Sequence, residues 1–173
     1  KIGASDTIGN HVLPSILSGF RQQQQHYSQQ VFISNSELIC QKLRDFELDI
    51  ALIEGHAQQS DLVSTVFSQD TMCIIAPPSH LLAKKPQLSF NDLANSQWVL
   101  REAGSGSRSF FLQNLATHID NWSQSFELNT TEALINSVAE GLGLGCLSSL
   151  AAQYALNDGR VTQLNLNHSM QRQ

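Results

Sequence analysis

Apolar positions recur along this chain with two different periods, which predict alternating helices and strands. Residues 8–20 are apolar at spacings of three and four, so they predict a helix with one buried face. Pro14 lies inside that pattern and predicts a kink or a late helix start. Residues 48–53 form a continuous apolar run, which is typical of a strand covered on both faces.

The alternation continues to the end of the chain. Asn35 and Ser36 predict the cap of a helix that runs to Phe46, and Pro77-Pro78 ends a strand over residues 72–76. The other predicted strands are 31–33, 97–101, 126–128, 146–147 and 161–166, and the other predicted helices are 89–93, 110–119, 133–140 and 150–156. This order indicates an α/β fold with mostly parallel sheets, in which ligands lie beyond the carboxyl ends of strands.

Composition and charge exclude some classes of function but do not identify one. The chain has 173 residues, 41% of them hydrophobic, and fits one domain or two small lobes. Its net charge is −5, and no basic cluster exceeds Lys84-Lys85, so the chain itself is not expected to bind nucleic acid. Apolar runs are far shorter than the roughly 20 residues of a membrane span. Residues 1–5 lack the apolar core of a secretion signal, so we expect a cytoplasmic protein with no membrane contact.

The three cysteines predict buried, reduced thiols. Cys40, Cys73 and Cys146 lie far apart among apolar neighbours, with no C-x-x-C pair and no histidine at metal-ligand spacing. The sequence therefore predicts no metal site and no cofactor. A redox-sensing pair of Cys73 and Cys146 is a minor alternative, because such a sensor needs an exposed thiolate of low pKa.

The segment WVLREAGSGSR at residues 98–108 carries the clearest chemical signal. It reads as a strand, a Gly/Ser turn and a helix start, where unpaired backbone N–H groups and the helix dipole favour an anion. Glycines let a ligand approach the backbone, serines add hydroxyls and arginines add charge; the residues are Gly104, Gly106, Ser105, Ser107, Arg101 and Arg108. Simple helix capping is the alternative interpretation.

Three predicted helix starts share this hydroxyl-rich chemistry. They are Ser5-Asp6-Thr7, residues 105–108 and Asn129-Thr130-Thr131, and together they favour one shared ligand over three separate caps. No catalytic residue is predicted, because the chain lacks G-x-S-x-G and a recognisable Asp/His pair. GLGLG at 141–145 follows a helix and precedes a strand, which is the reverse of a dinucleotide-binding fingerprint.

Five phrases, in their order and spacing, resemble the effector-binding domain of LysR-type bacterial transcription regulators. They are IGASDTIG at 2–9, LDIALIEG at 48–55, PPSHLLA at 77–83, WVLREAGSGSR at 98–108 and VAEGLGLGCLS at 138–148. The resemblance covers nearly the whole chain. It implies a periplasmic-binding-protein-like (type II) fold of two Rossmann-like α/β lobes joined by two crossover strands. Lobe I would be residues 1–71 and 163–173, and lobe II would be residues 72–162.

The resemblance also implies a small effector held between the lobes, and the hydroxyl-rich helix starts favour an anion. The residues it assigns to that site are Ser5, Asp6, Thr7, Glu54, Gly55, His56, Arg101, Ser105, Gly106, Ser107, Arg108, Asn129 and Thr130. For Arg108, pairing with Glu102 or Asp120 is an equal alternative. Arg101 could instead make an ion pair between the lobes.

A homodimer through the regulatory domain, and a tetramer of the full-length protein, are further implications of the resemblance. The family's N-terminal winged helix is absent from this chain, so DNA would be bound only through that missing domain. A shorter C-terminus than the family's usual one is a second departure. The alternative function is a solute-binding protein of a transport system.

Overall fold

The computed structural model describes residues 1–24, 28–55 and 60–172, which group by their contacts into two compact units. The first unit contains Lys1–Ser68 together with Gly104–Gly106. The second contains Gln69–Ala103 and Ser107–Arg172. The lobe boundaries expected from the sequence stay a prediction. They assign residues 163–173 to the first lobe, whereas residues up to Arg172 group by their contacts with the second unit.

The first unit is built on a parallel sheet in which β1 (Ile2–Ser5) lies between β2 (Val31–Ser34) and β3 (Ile50–Leu52). A π-helical segment, Ile8–Val12, follows β1 and leads into α1 (Leu13–Gln24). α2 (Ser36–Arg44) connects β2 to β3. The late helix start predicted at Pro14 is wrong, because the chain is already helical before Pro14, in the π-helical segment Ile8–Val12 that runs directly into α1. A kink at Pro14, the other expectation, stays a prediction.

The start of α2 is confirmed and its end is corrected. Asn35 caps the helix, and its side chain accepts a hydrogen bond of 3.0 Å from the Leu38 N–H. The predicted helix to Phe46 is wrong, since α2 ends at Arg44 and Phe46 has a φ of 57°. The N–H of Phe46 donates to Leu43 and that of Glu47 to Lys42, which is a Schellman ending. Phe46 is 94% exposed.

The expectation that residues 48–53 form a doubly covered strand is also wrong. Only Ile50–Leu52 forms β3, which lies at the edge of the described sheet, and Ile50 is 55% exposed. The apolar run extends beyond the strand because Leu48, before β3, is itself buried.

The second unit contains a larger sheet with the order β6-β5-β7-β4-β8, and β9 pairs with β4. Its strands are β4 (Asp70–Ala76), β5 (Gln97–Arg101), β6 (Ser123–Leu128), β7 (Leu144–Ser148), β8 (Thr162–Leu164) and β9 (Gln171–Arg172). Its helices are α3 (Gly106–Asn114), α4 (Thr131–Ala139) and α5 (Ser149–Asn157). Short 3₁₀ turns occupy Leu81–Lys84, Phe90–Leu93 and Ala116–His118. Gly106, the first residue of α3, groups with the first unit.

Two sequence expectations need correction in this unit. The predicted helix 110–119 begins earlier and ends at Asn114, with a separate turn at Ala116–His118. The sheet is mixed, not mostly parallel, because β4 runs antiparallel to β7, β8 and β9. β5 pairs in parallel with β6 and β7 across helix-containing connections. Among the described residues no helix lies between β3 and β4, so the alternating pattern does not fix the direction of β4.

Buried side chains cover both faces of this sheet. One face packs Trp98 against Phe111 with ring centroids 4.6 Å apart, and Trp122 meets Phe111 edge-on. The other face packs β4 and β5 against α4 and α5 through residues such as Val99, Leu134 and Ala152. The two covered faces hold β5 and β7, and therefore the helix starts that follow them, in fixed positions.

Candidate functional site

The carboxyl edge of the first sheet is the place where its connections diverge. From central β1 the chain passes to β2 on one side, and then crosses to β3 on the other. Ser5 ends β1 and Glu54 follows β3, so both lie at this edge. Such a divergence point is where open α/β sheets hold ligands. The sequence-predicted residues Ser5, Asp6 and Thr7 therefore share an edge with Glu54.

Ser5 has an unusual environment at this edge. It is fully buried, and its hydroxyl oxygen has no hydrogen-bond partner within the described structure. A buried hydroxyl without a partner costs free energy, roughly 1–3 kcal/mol. Thr7 is buried as well, and its side chain makes no capping hydrogen bond to the turn that follows. Asp6 differs, because its Oδ1 and its carbonyl accept hydrogen bonds from the Asn10 amide at 3.0 and 2.8 Å.

The Gly104–Gly106 turn lies against this same edge. The Gly104 carbonyl accepts a hydrogen bond of 3.3 Å from the Glu37 N–H at the start of α2. Gly104 has a φ of 86°, and a Cβ there would lie 2.7 Å from Glu37 Oε2. Only glycine fits such a position without displacing its neighbour. Ser105, between the two glycines, is 4% exposed.

Glu54 brings a carboxylate to the beginning of α3. A Cβ on Gly106 would lie 3.0 Å from Glu54 Oε2, which also accepts a hydrogen bond of 3.5 Å from the Ser36 hydroxyl. Glu54 is 8% exposed. A helix N-terminus stabilises negative charge, so the position of the Glu54 side chain beside the start of α3 is electrostatically favourable. Gly55 follows it with a φ of 76°, and the predicted site residue His56 lies outside the described residues.

In the second unit, Arg101 binds the start of α4. Its Nη1 donates to Thr131 Oγ1 at 2.6 Å and its Nη2 to the Asn129 carbonyl at 3.3 Å. Its Nε donates to Glu102 Oε2 at 2.9 Å. Arg101 is 4% exposed. Its ion pair with the neighbouring Glu102 lies within the second unit. The structure thus brings Arg101 and Asn129 together within the second unit.

Arg108 has two partners of its own. Its Nη1 donates to the Arg101 carbonyl at 2.8 Å and to Glu127 Oε2 at 2.9 Å. The sequence alternatives for an ion pair were Glu102 and Asp120, whereas the observed partner is Glu127 on β6. Thr130 caps α4, and its hydroxyl accepts a hydrogen bond of 3.2 Å from the Ala133 N–H. The capping interpretation is therefore confirmed for Thr130.

A buried polar cluster near Ser107 was missed by sequence reasoning. Asp70 accepts hydrogen bonds from Arg172 at 2.5 Å and from the Ser148 hydroxyl at 2.9 Å. Arg172 also donates to the Ser107 hydroxyl at 3.4 Å. Ser107, Ser148 and Arg172 are each at least nine-tenths buried. No local motif marks the cluster, because Asp70 and Arg172 are 102 positions apart.

The three cysteines are buried thiols. Cys40, Cys73 and Cys146 are free and buried, which confirms the sequence expectation. Burial raises the pKa of Cys146, and burial together with Asp70 raises the pKa of Cys73 to about 12. Within the described ranges no group of three His, Cys, Asp or Glu side chains could hold a metal ion. Over the same ranges, no helix is long and apolar enough to span a bilayer.

Comparison with known proteins places the chain in a family. All of residues 1–173 match the family described as LysR substrate binding domain. The HTH-type transcriptional regulator CysL of Bacillus subtilis (strain 168) is 33% identical over 168 residues, which are 97% of this chain and 56% of CysL.

Two solved structures share the fold. The Synechocystis PCC6803 CcmR regulatory domain in complex with 2-PG matches with a TM-score of 0.87 and 24% identity, covering 99% of this chain and 82% of that one. The effector binding domain of QuiR in complex with shikimate matches with a TM-score of 0.85 and 17% identity, covering 99% and 83%.

These matches establish the fold of the chain and the family to which it belongs. The fold is the α/β, periplasmic-binding-protein-like (type II) fold expected from the sequence. The chain belongs to the LysR substrate binding domain family, the ligand-binding part of transcription regulators. The alternative of a transport solute-binding protein is wrong, because the curated relatives are transcription regulators. The chain spans 56% of the length of the curated relatives it matches first.

Proposed function

We propose that this chain senses a small anionic metabolite and regulates transcription through a DNA-binding domain elsewhere in the full-length protein. The observation that carries the ligand assignment is the Ser5 hydroxyl, which is fully buried at the carboxyl edge of the first sheet and has no partner in the described structure. A ligand oxygen at that edge would satisfy it. Family membership supports an effector as that ligand, and so do the similar solved domains in complex with 2-PG and with shikimate.

The chemistry of the helix starts favours an oxygen-rich ligand. Ser105 and Ser107 flank the first residue of α3, where backbone N–H groups are also available. Glu54 already places one carboxylate near that start. Hydroxyl and backbone donors, more than net positive charge, therefore select the ligand. Arg101 holds the Asn129 carbonyl at the start of α4, so we assign it to shaping this site as well as to binding.

A second proposal concerns the partner. Apolar side chains on α1 and β2 remain about two-fifths exposed, namely Ile16, Phe20, Val31, Phe32 and Ile33. We propose that they pack against a helix of the second unit of another copy, giving an antiparallel homodimer and a tetramer in the full-length regulator. Light scattering coupled to size exclusion should then give twice the monomer mass, and a monomer at high concentration would contradict the dimer.

The same function has corollaries for location and activity. Because the relatives are regulators, we propose a cytoplasmic protein that has no enzymatic activity and reaches DNA only through its N-terminal domain. We also propose that the chain binds its small-molecule effector without a cofactor.

Calorimetry tests the ligand site directly. Sulfate, phosphate and small carboxylates are titrated into the wild-type chain, Ser105→Ala and the exposed control Ser64→Ala. Loss of one hydrogen bond to an anion should weaken binding about tenfold or more in Ser105→Ala, with Ser64→Ala unchanged. Equal affinity in all three proteins would refute this placement of the site.

A further inference from the structure

Arg172 is fixed by backbone pairing as well as by its charge. β9 pairs with β4 in a register that sets Arg172 opposite Asp70 and Gln171 opposite Thr71. The side chains of Gln171 and Thr71 add a hydrogen bond of 3.1 Å next to the ion pair. Arg172 is 6% exposed, and its Nη2 lies 2.5 Å from Asp70 Oδ2. Its guanidinium is therefore held in one place inside the second unit.

The direction of each hydrogen bond in the cluster follows from the groups involved. A guanidinium has only donors, so the Ser107 oxygen accepts from Arg172 at 3.4 Å. An ionised carboxylate only accepts, so Ser148 donates its hydroxyl hydrogen to Asp70. Ser148 also accepts from the Leu150 N–H at 3.2 Å. Asp70 and Ser148 are thus satisfied by these partners.

Ser107 is in a different position. The positive charge of Arg172 attracts its oxygen and repels its hydroxyl hydrogen, so the O–H dipole points away from the guanidinium. Ser107 lies in the first turn of α3, which is the helix start assigned above to the effector. Its hydroxyl is consequently preset as a donor.

We propose that Arg172 is a positioning residue that fixes Ser107 as a hydrogen-bond donor and thereby restricts the facing ligand group to an acceptor oxygen. The inference rests on the proposed anion-binding function and deepens it. It explains why an arginine with no place in the sequence-predicted site is buried beside Ser107. It also predicts that the effect of Arg172 on affinity passes through Ser107.

A double-mutant cycle measures that dependence. Sulfate and phosphate affinities are compared by calorimetry for the wild type, Arg172→Met, Ser107→Ala and the double variant, with Arg172→Lys as the conservative change. Arg160→Met is the matched control, because Arg160 also pairs with an aspartate in the second unit but lies exposed. Thermal unfolding of every variant identifies those that remain folded at the titration temperature.

We expect Arg172→Met to weaken binding about tenfold in the wild-type background and less than twofold in the Ser107→Ala background. Arg172→Lys should recover part of the affinity, and Arg160→Met should match the wild type. Equal weakening of both backgrounds would overturn the inference, since a structural role acts regardless of Ser107. If Arg172→Met does not stay folded, Arg172→Lys takes its place in the cycle under the same criterion. Absence of sulfate and phosphate binding by the wild type would instead overturn the proposed anion function, and the inference with it.

Discussion

Cys73 and Cys146 lie on neighbouring antiparallel strands, yet their side chains pack on opposite faces of the second sheet. Cys73 pairs with Leu147 and Ile74 pairs with Cys146, so the two cysteines are offset by one residue in register. Cys146 packs with Trp98 and Phe111, whereas Cys73 packs with the residues that face α4 and α5. Successive side chains of a strand alternate between faces, so a disulfide would require β4 or β7 to leave the sheet.

The thiols should therefore be unreactive in the folded chain. Burial raises the pKa of all three cysteines, so little thiolate forms at pH 8. Ellman's reagent should label none within minutes under native conditions and all three in guanidinium chloride. Rapid native labelling, or a Cys73–Cys146 disulfide after peroxide treatment, would contradict this geometry.

Phe46 offers a stabilising substitution. It occupies the left-handed position of the Schellman ending of α2 with a φ of 57°, and it is 94% exposed. Glycine adopts that conformation without the steric cost of a Cβ, so Phe46→Gly should raise the free energy of unfolding by about 1 kcal/mol. Chemical denaturation measures the change. Phe46→Ala retains the Cβ and serves as the control; an equal gain in both variants would show that backbone strain is not the cause.

Replacement of Arg101 should destabilise the chain even without ligand. Arg101→Met leaves the Glu102 carboxylate, itself 19% exposed, without the Arg101 partner and removes the bond to Thr131. Breaking a buried pair in this way costs about 3 kcal/mol. Urea unfolding should show that loss, while the exposed Arg160→Met changes little. A fully stable Arg101→Met chain would indicate that Arg101 serves ligand binding alone.

Asp92 should make stability depend on pH in the acid range. Lys85 and the backbone and hydroxyl of Ser89 lower the pKa of Asp92 from 3.8 to about 2 in the folded chain. A lowered folded-state pKa stabilises the fold above the unfolded value, and this contribution disappears as pH falls from about 4 to about 2. The wild type should therefore be more stable than Asp92→Asn at pH 6, and this advantage should shrink steadily as the pH falls through about 2. A constant difference across that range would argue against the titration of Asp92.

Local signals predicted the elements well where one residue type fixes the backbone. Asn35 and the double proline after β4 each constrain the chain within a few residues, and the structure confirms both. β5 has the bounds expected from its apolar run. Phe46 and Ile50 of β3 were mispredicted because an apolar side chain was assumed to be buried, whereas tertiary packing leaves both exposed.

The candidate site was predictable in part for the same reason. Gly104 and Ser105 indicate a turn and a helix start within one short segment. The structure places this Gly104–Gly106 turn against Glu37 at the start of α2. Asp70 and Arg172 carry no such signal, because only the pairing of β4 with β9 brings them together. Sequence patterns report on neighbours along the chain, and this cluster is made across most of its length.

The direction of β4 has a consequence for synthesis. β4 is the first strand of its sheet to be synthesised, and its partners β7, β8 and β9 follow later in the chain. Ile74, for example, can pair with β8 only after Leu164 has been added. Until then, a strand with five buried residues at its carboxyl end has exposed backbone donors and acceptors. The nascent chain therefore carries an unpaired strand edge from the synthesis of β4 until β7 and β8 follow, and aggregation is favoured during that interval.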